Sequence, residues 1–333
     1  MYNHGFVKAF QLTDLVAPLA HQVSVPDSEA LAYNGRVIWI MIAVMSAATV
    51  IGYWATGLTF AWYCIQTIGL CALPFLAVSL FYRRLRPDPF ISFVTEVFAQ
   101  LLLVLTLGSA LSYPLAAAGF PYRDALLNSA DTWMGLDWRA YLKFVNDRPL
   151  LGTIAKLAYD SPLAQLMALI TILVPTLRFV RLQQFVLANA LGLCIALAVF
   201  TFVPAAGIFS FLNIAHSEFG NLSPVMTTDQ KVYLDGLRSG QHLLVDEMSG
   251  LITFPSFHAA WAFFFMWAFY PVKWLGTGAF LLNLVVLAAT PVQGAHYFID
   301  LIGGAIVAAI SIYAAIRLTS AARPEVIALA VQD

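Results

Sequence analysis

The stretch "TFPSFHAAWAFFF", residues 253–265, decides the fold class, because an almost entirely apolar run begins here behind Ser256 and His258. A second stretch, "GAHYFIDLIGG", residues 294–304, has the same form. Ionisable side chains are expensive inside a membrane span, so those that occur there are functional candidates by default. Both stretches predict membrane helices that carry polar, chemically competent side chains at one end.

The composition of the whole chain agrees with a membrane protein. The 333 residues are 61% hydrophobic and 11% charged, and the mean hydropathy is +0.80. Soluble domains carry about 25% charged residues, so most of this surface does not face water. A net charge of −1 without a basic patch excludes nucleic-acid binding. Cys64, Cys71 and Cys194 lie in apolar runs, which predicts neither a disulfide framework nor a metal site built on cysteines.

Apolar runs long enough to cross a bilayer, about 20 residues each, occur eight times. The sequence therefore predicts an all-α fold, a polytopic membrane helix bundle of about eight transmembrane helices. The predicted spans are residues 37–57, 60–82, 90–113, 161–177, 183–203, 253–271, 274–292 and 296–316.

These spans divide the chain into three predicted parts. Residues 1–89 form an N-terminal arm, without a conventional secretory signal, and two additional transmembrane helices. Residues 90–316 form a core of six helices, and residues 317–333 form a tail.

The distribution of basic residues predicts the orientation. Four alternate connections carry the cations Arg83, Arg84, Arg86, Arg178, Arg181, Lys273, Arg317 and Arg323. Cytoplasmic loops are enriched in Lys and Arg, so both termini are expected in the cytoplasm. The long connections 114–160 and 204–252 then lie outside, the first as short interfacial helices. We expect a bacterial inner membrane, with the polar ends of the two stretches on the periplasmic side.

The second stretch contains a candidate nucleophile. His296 and Asp300 are spaced i, i+4 and so share one face of a helix. The aspartate can accept the Nδ1 proton of the imidazole, which leaves Nε2 as a nucleophile. His258 is the candidate proton donor to a leaving oxygen.

Other residues are candidates for binding an anion. Pro255 suits the first turn of a helix, and the free N–H groups of that turn, together with the Ser256 hydroxyl, form an anion site. Gly294 allows close approach of the backbone to a ligand. Lys231 and Arg238 are seven residues apart, on one face if helical, and their charges suit a phosphate. Together these residues predict a phosphoryl-transfer site that requires no metal or organic cofactor.

These motifs resemble those of a known family. "PSFH" followed by "HYFID" is similar to the PSGH and HxxxD signatures of the type-2 phosphatidic acid phosphatase superfamily. The closest likeness is to its inositol phosphorylceramide synthase branch, with PS-x-H-A and H-Y-x-x-D. The resemblance implies a six-helix phosphatase-like core that acts on membrane lipids, with His296 as nucleophile, Asp300 as its partner and His258 as proton donor. Lys231 and Arg238 match the K-x6-R part of the first motif.

Two departures from the superfamily pattern bear on the reaction. Ser239 stands where the first motif has proline, and Ala289 and Thr290 stand where phosphatases carry Ser-Arg before the nucleophile. Loss of that arginine favours a phosphodiester donor, which carries one negative charge less than a phosphomonoester. The sequence leaves open the donor lipid, the acceptor, which is water or a lipid alcohol, and the oligomeric state.

Two other functional classes remain open on the residues alone. His258, His296 and Asp300 would suit zinc in a metal-dependent intramembrane hydrolase. Asp300 and Glu96 would be the ionisable residues of a lipid transporter, although the paired discontinuous helices typical of transporters are not apparent. Glu96 and Gln100, one turn apart, are best interpreted as interhelical polar contacts.

Overall fold

The computed structural model describes residues 26–176, 178–225, 227, 229–246 and 249–320. The predicted arm before residue 26 and the tail after residue 320 lie outside the described residues. The helices of the first half are α1 (Pro26–Thr56), α2 (Trp62–Arg84), α3 (Pro89–Ala117), α4 (Asp124–Trp133), α5 (Trp138–Asn146), α6 (Pro149–Tyr159) and α7 (Pro162–Leu173). Those of the second half are α8 (Phe179–Phe202), α9 (Ile208–Phe211), α10 (Asp229–Arg238), α11 (Phe257–Phe269), α12 (Lys273–Gln293) and α13 (Phe298–Ser320).

The predicted fold class, an all-α polytopic membrane protein, is confirmed. Each of the eight predicted apolar runs coincides with a helix. Among the described residues, five helices are long and apolar enough to cross a membrane: α1, α3, α8, α12 and α13. Helices α7 and α11 are apolar but only 12 and 13 residues long. At 1.5 Å per residue they extend about 20 Å, less than the bilayer core of about 30 Å, so a count of eight crossings stays a prediction.

Helix α8 lies at the centre of the bundle and contacts α1, α3, α11 and α13. Its packing depends on small residues. A Cβ added at Gly192 would lie 2.9 Å from the Phe264 ring, and one added at Gly108 would lie 2.6 Å from Leu193. Membrane helices associate by close packing, because lipid provides no hydrophobic drive between them.

One end of the bundle, the end at which α8 begins and α2 ends, is joined by polar contacts. Glu96 accepts a hydrogen bond from Trp39 Nε1 at 2.7 Å and forms an ion pair with Arg83. Gln100 Nε2 donates to the carbonyl of Gly35 at 3.3 Å. These bonds link α1, α2 and α3, which confirms the interpretation of Glu96 and Gln100 as interhelical contacts. We call this end the basic end, because Arg83, Arg84, Arg178, Arg181, Lys273 and Arg317 lie there at helix termini or in the adjoining turns.

The other end, which we call the site end, holds the short helices α4, α5, α6, α9 and α10. The predicted interfacial helices are packed into the protein, since Trp138, Leu142 and Val145 of α5 are buried in one apolar cluster. A two-residue parallel pairing of Thr59–Phe60 (β1) with Leu244–Val245 (β2) joins the α1–α2 turn to the second long connection.

Two helix starts differ from the prediction in a way that shapes the site. Helix α11 begins at Phe257, so Pro255 precedes the helix instead of occupying its first turn. Helix α13 begins at Phe298, so His296 lies in a loop, and Ala295 before it has a φ of 57°. Hydropathy alone placed both starts too early, because loop residues at a buried helix end are also apolar.

Candidate functional site

The predicted pair His296 and Asp300 is formed. Nδ1 of His296 and Oδ2 of Asp300 are 2.9 Å apart, and both side chains are buried, with exposed fractions of 4% and 0%. Asp300 Oδ2 also accepts the N–H of Tyr297 at 2.9 Å. When the Asp300 carboxyl is ionised it can only accept hydrogen bonds, so the shared proton then lies on Nδ1 and the lone pair of the imidazole is on Nε2. The contact does not need the predicted shared helix face, since Asp300 reaches back from the first turn of α13.

The loop that carries His296, residues 294–297, is hereafter the histidine loop, and α4 and α5 hold it in place. Asp131 on α4 accepts the N–H groups of Phe298 and Ile299, both at 2.8 Å, and so caps the start of α13. Trp138 Nε1 on α5 donates to the carbonyl of His296 at 3.1 Å. Carboxylates at a helix N-terminus satisfy free donors and favour the helix dipole. Contacts from residues far away in the sequence thereby hold the candidate nucleophile, His296, in position.

Asp124 lies on the same face of α4 as Asp131, two turns before it, and holds the other side of the histidine loop. Its carboxylate accepts the Tyr297 hydroxyl at 2.9 Å and the N–H groups of Ala206 and Gly207, each at 3.0 Å. Asp124 is buried, and charged acceptors of this kind form the stronger hydrogen bonds. The buried Asp124 carboxylate therefore links the histidine loop to the connection that follows α8.

His258 lies in the first turn of α11 and has Tyr159, the last residue of α6, as its partner. The two rings stack with centroids 4.3 Å apart and an interplanar angle of 14°. The Tyr159 hydroxyl is 3.3 Å from Nδ1 of His258. With the hydroxyl oxygen accepting from Nδ1–H, the protonated ring has its Nε2–H free to donate to an oxygen, and the neutral ring has its lone pair on Nε2.

The atoms around Gly294 show that the two histidines lie near each other. A Cβ added there would be 2.6 Å from the Tyr159 hydroxyl oxygen and 2.8 Å from Cδ2 of His296. The Tyr159 hydroxyl is therefore close to both imidazoles. The structure gives Gly294 the role of admitting Tyr159, and its predicted role in admitting a ligand stays a prediction.

Ser256 is the N-cap of α11. Its hydroxyl accepts the N–H of Ala259 at 3.3 Å, its own N–H donates to the carbonyl of Asp300 at 3.1 Å, and the residue is fully buried. Ser256 thus connects the first turns of α11 and α13. Its predicted contact with phosphate stays a prediction.

Lys231 and Arg238 lie on α10, which confirms that their segment is helical. Both face one ring: the Arg238 guanidinium lies 3.7 Å and the Lys231 ammonium 5.6 Å from the centroid of Tyr122. Lys231 also pairs with Asp235 at 2.6 Å, and this hydrogen bond lowers the pKa of the Asp235 carboxyl. In the described part of the chain, the polar contacts of both cations are with neighbours of α10 and α3, not with either histidine.

The expected Ser-Arg positions lie beside Tyr159. Ala289 is buried in a small cluster with Ala155 and Tyr159. The Thr290 hydroxyl donates to the carbonyl of Val286 in its own helix at 2.7 Å. Ala289, packed against Tyr159, and Thr290, whose hydroxyl bonds within its own helix, thus occupy the two motif positions at which the superfamily phosphatases carry serine and arginine.

Sequence patterns did not indicate Asp124, Asp131, Trp138 or Tyr159, which all contact the predicted site. Their partners in the site are 99 to 173 residues away in the chain, so no local spacing records the contact. The one signal was the mixture of acidic and aromatic residues in the first long connection. Among the residues that the structure describes, no group of three or more His, Cys, Asp or Glu side chains could hold a metal ion.

Comparison with known proteins supports the motif assignment. A family model described as "PAP2 superfamily" matches residues 125–314, more than half of the chain. The match includes α4, both histidines and Asp300, and begins after α1, α2 and α3. No curated protein and no solved structure matches, so the likeness to the inositol phosphorylceramide synthase branch stays a prediction. From its motifs, its all-α polytopic fold and this match, the chain belongs to the PAP2 superfamily.

Proposed function

We propose that the protein is a membrane-embedded lipid phosphotransferase or phosphatase, which breaks a lipid phosphoester through a phosphohistidine at His296. One observation carries this proposal: a buried His296–Asp300 pair at 2.9 Å beside a second histidine, His258, with the Tyr159 hydroxyl close to both imidazoles. Members of the superfamily are phosphatases and phosphotransferases, which agrees with this general chemistry.

The first step forms the covalent intermediate. Nε2 of His296 attacks phosphorus in line with the ester oxygen, a P–N bond forms and the P–O bond to the leaving alcohol breaks. His258 enters this step as the imidazolium and gives its Nε2 proton to that oxygen, so a neutral alcohol departs and a neutral imidazole remains. Asp300 holds the attacking imidazole in its tautomer and stabilises the positive charge that develops on the ring.

The second step discharges the intermediate. Nε2 of His258, now without its proton, accepts one from water or from a lipid alcohol as the acceptor oxygen attacks phosphorus. The P–N bond breaks and His296 recovers its lone pair. Water as acceptor releases a phosphate, and a lipid alcohol gives a new phospholipid.

Lys231 and Arg238 would stabilise the phosphate oxygens. Both are on the site end, and the Lys231 side chain is half exposed. To reach a phosphate they would exchange Asp235 and the Tyr122 ring for the substrate, which is feasible because exposed ion pairs are weak, about 0 to 1 kcal/mol. The free N–H groups of α11 would add neutral donors. Ser256 would contribute by fixing this turn.

Transfer of a headgroup is the favoured form of the reaction. Thr290 replaces the arginine of the phosphatases, and its hydroxyl is bonded within α12. A site with fewer cations suits a phosphodiester, whose phosphorus group carries a single negative charge. If the phosphorylated headgroup of such a donor is passed to a second lipid, the acceptor must be a lipid alcohol. This is the type of reaction that a sphingolipid synthase performs.

The proposed orientation follows from the basic end. The basic end carries the cations named above together with Arg86, whereas at the site end Lys143, Lys156 and Lys231 are paired with Asp147, Asp160 and Asp235. Since basic residues are retained in the cytoplasm, the site would face the periplasm of a bacterial inner membrane.

The test uses purified protein with two substrate pools. One contains the phosphomonoesters phosphatidate and a prenyl phosphate; the other contains phosphodiester lipids with a lipid alcohol as acceptor. Products are identified by mass spectrometry. His296→Ala serves as the inactive blank, and His242→Ala, on an exposed loop residue, is the matched control.

Release of inorganic phosphate from the first pool would identify a phosphatase. A new headgroup-bearing lipid from the second pool, formed by the parent and by His242→Ala, would identify a synthase. Equal product from the parent and from His296→Ala would refute the proposed nucleophile, and no product from either pool would refute the proposed reaction.

A further inference from the structure

A cavity of about 160 Å³ lies at the site end, between α3, α8 and α11 and beneath the connection at residues 250–252. His258 forms part of its wall. The rest is mainly apolar: Leu105, Leu193, Ile252, Phe257 and Trp261. Ser109 and the backbone of two glycines complete the wall.

The chemistry of this wall selects the ligand. Among the described residues that line the cavity, none carries a formal charge other than the titratable His258. A phosphate or a charged headgroup would therefore lose its hydration there without a compensating partner. Hydrocarbon loses nothing. An apolar cavity of about 150 Å³ holds a molecule of the size of benzene, so this one accommodates about six carbon atoms.

The position of His258 in the cavity wall indicates which part of the lipid substrate the cavity would hold. In the proposed reaction His258 gives its proton to the leaving alcohol and later takes one from the acceptor alcohol. The carbon atoms attached to that oxygen must then lie beside the imidazole, and the cavity is the apolar space that His258 lines. We propose that this cavity binds the first carbon atoms of the lipid alcohol whose oxygen exchanges a proton with His258; this inference rests on the proposed function.

Selectivity at this site would come from shape. A lipid chain is already in an apolar solvent, so its transfer into the cavity gains little from the hydrophobic effect. A cavity of fixed volume instead excludes chains that are too bulky near the oxygen. The wall residues Leu105 and Leu193 also pack in the main apolar core of the bundle, which keeps the wall rigid.

Gly250 is the position from which the cavity can be filled. A Cβ added there would be 3.7 Å from the Ser109 hydroxyl oxygen, an ordinary contact, and the glycine does not need a positive φ. Gly250→Val would therefore extend two methyl groups toward the cavity without forcing the backbone. Gly220→Val is the matched control, because an added Cβ there meets nothing within 4 Å.

The experiment measures binding independently of turnover. An alkyl phosphate with a photoreactive diazirine on its third carbon is bound to the His296→Ala protein in detergent, irradiated, and the labelled residues are identified by mass spectrometry. We expect label on Leu105, Leu193, Ile252 or Trp261, reduced at least fivefold by Gly250→Val and unchanged by Gly220→Val.

A second measurement compares dodecyl phosphate with methyl phosphate as substrates of the protein with His296 intact. Gly250→Val should lower kcat/KM for the dodecyl ester at least tenfold and for the methyl ester less than twofold. Label outside the cavity, or label unaffected by Gly250→Val, would overturn the inference even if the enzyme is active. Label in the cavity of a protein that turns over no phosphoester would refute the proposed function while supporting the binding site.

Discussion

The histidine loop and α10 were both predicted to act on phosphate, yet they differ in burial and in how their side chains are held. The loop is buried and held by Asp124, Asp131 and Trp138, which come from helices far away in the chain. Helix α10 lies near the surface, and its cations are bound to Asp235, only a few residues away, and to the Tyr122 ring.

The difference follows from what each region must do. An in-line attack needs its nucleophile within a fraction of an ångström of the productive position, and misplacement by about 1 Å costs about 100-fold in rate. A cation that neutralises phosphate acts over a longer range and can exchange partners as the substrate arrives. We therefore expect substitutions in the loop and its supports to lower kcat, and substitutions on α10 to raise KM.

The largest effect is expected at Asp300. Asp300→Asn keeps the size of the side chain but replaces the carboxylate that fixes the His296 tautomer with an amide, which has one acceptor oxygen and no charge, and the corresponding change in a serine protease triad lowers kcat about 10⁴-fold. The measurement is kcat for the best substrate of the two pools. A loss below tenfold would mean that Asp300 only packs against the loop.

The next effect tests whether α4 positions the loop. Asp131→Ala removes the cap from the two N–H groups at the start of α13, and we expect kcat to fall about 10- to 100-fold as His296 shifts. Asp88→Ala is the matched control, because Asp88 caps α3 at the basic end by accepting the N–H of Ile91 at 3.0 Å.

Loss of a helix cap costs about 1 kcal/mol in either variant, so thermal unfolding should show both as mildly destabilised. Only Asp131→Ala should lose activity beyond its loss of folded protein. Equal losses of activity in the two variants would show that Asp131 contributes stability alone.

The contacts of α4 and α5 with the histidine loop also show which part of the site cannot be predicted from the sequence. Hydropathy located all eight apolar helices, because about 20 apolar residues in a row have few alternatives to a membrane helix. The i, i+4 spacing of His296 and Asp300 found their contact, although the loop conformation at Ala295 was missed. The bond from Phe298 to Asp131 crosses 167 positions of the chain, and such contacts depend on how helices pack, which single-sequence periodicity does not encode.

Tyr159 offers a test of intermediate size. Tyr159→Phe keeps the ring stacked on His258 but removes the hydroxyl 3.3 Å from Nδ1. Without that hydrogen bond the imidazole is oriented less firmly and its neutral form can place the proton on either nitrogen, so we expect kcat to fall about tenfold, less than the 10²- to 10⁴-fold contribution of a general acid–base group. The dependence of kcat on pH should change as well.

The matched control for this variant is Tyr141→Phe, which removes a hydroxyl that donates to the carbonyl of Ala288 at 2.6 Å. It should leave the pH profile unchanged. If Tyr159→Phe lowers kcat without altering that profile, the hydroxyl supports packing of α6 and does not orient His258.

The smallest effect is expected on α10, where Arg238→Ala removes a cation that, in the proposed function, reaches the phosphate only when the substrate is bound. An exposed charge pair contributes about 0.2 to 1 kcal/mol, so KM and the inhibition constant for phosphate should rise about two- to fivefold while kcat changes less than twofold. Arg148→Ala is the matched control, because that guanidinium also stacks on a ring at the site end, 4.1 Å from the centroid of Phe144. A fall in kcat with unchanged KM would place Arg238 with the preorganised residues of the histidine loop, and the proposed division between a fixed nucleophile and exchangeable cations would fail. An equal rise of KM in both variants would instead attribute the effect to the general charge of the surface, which added salt would abolish in both.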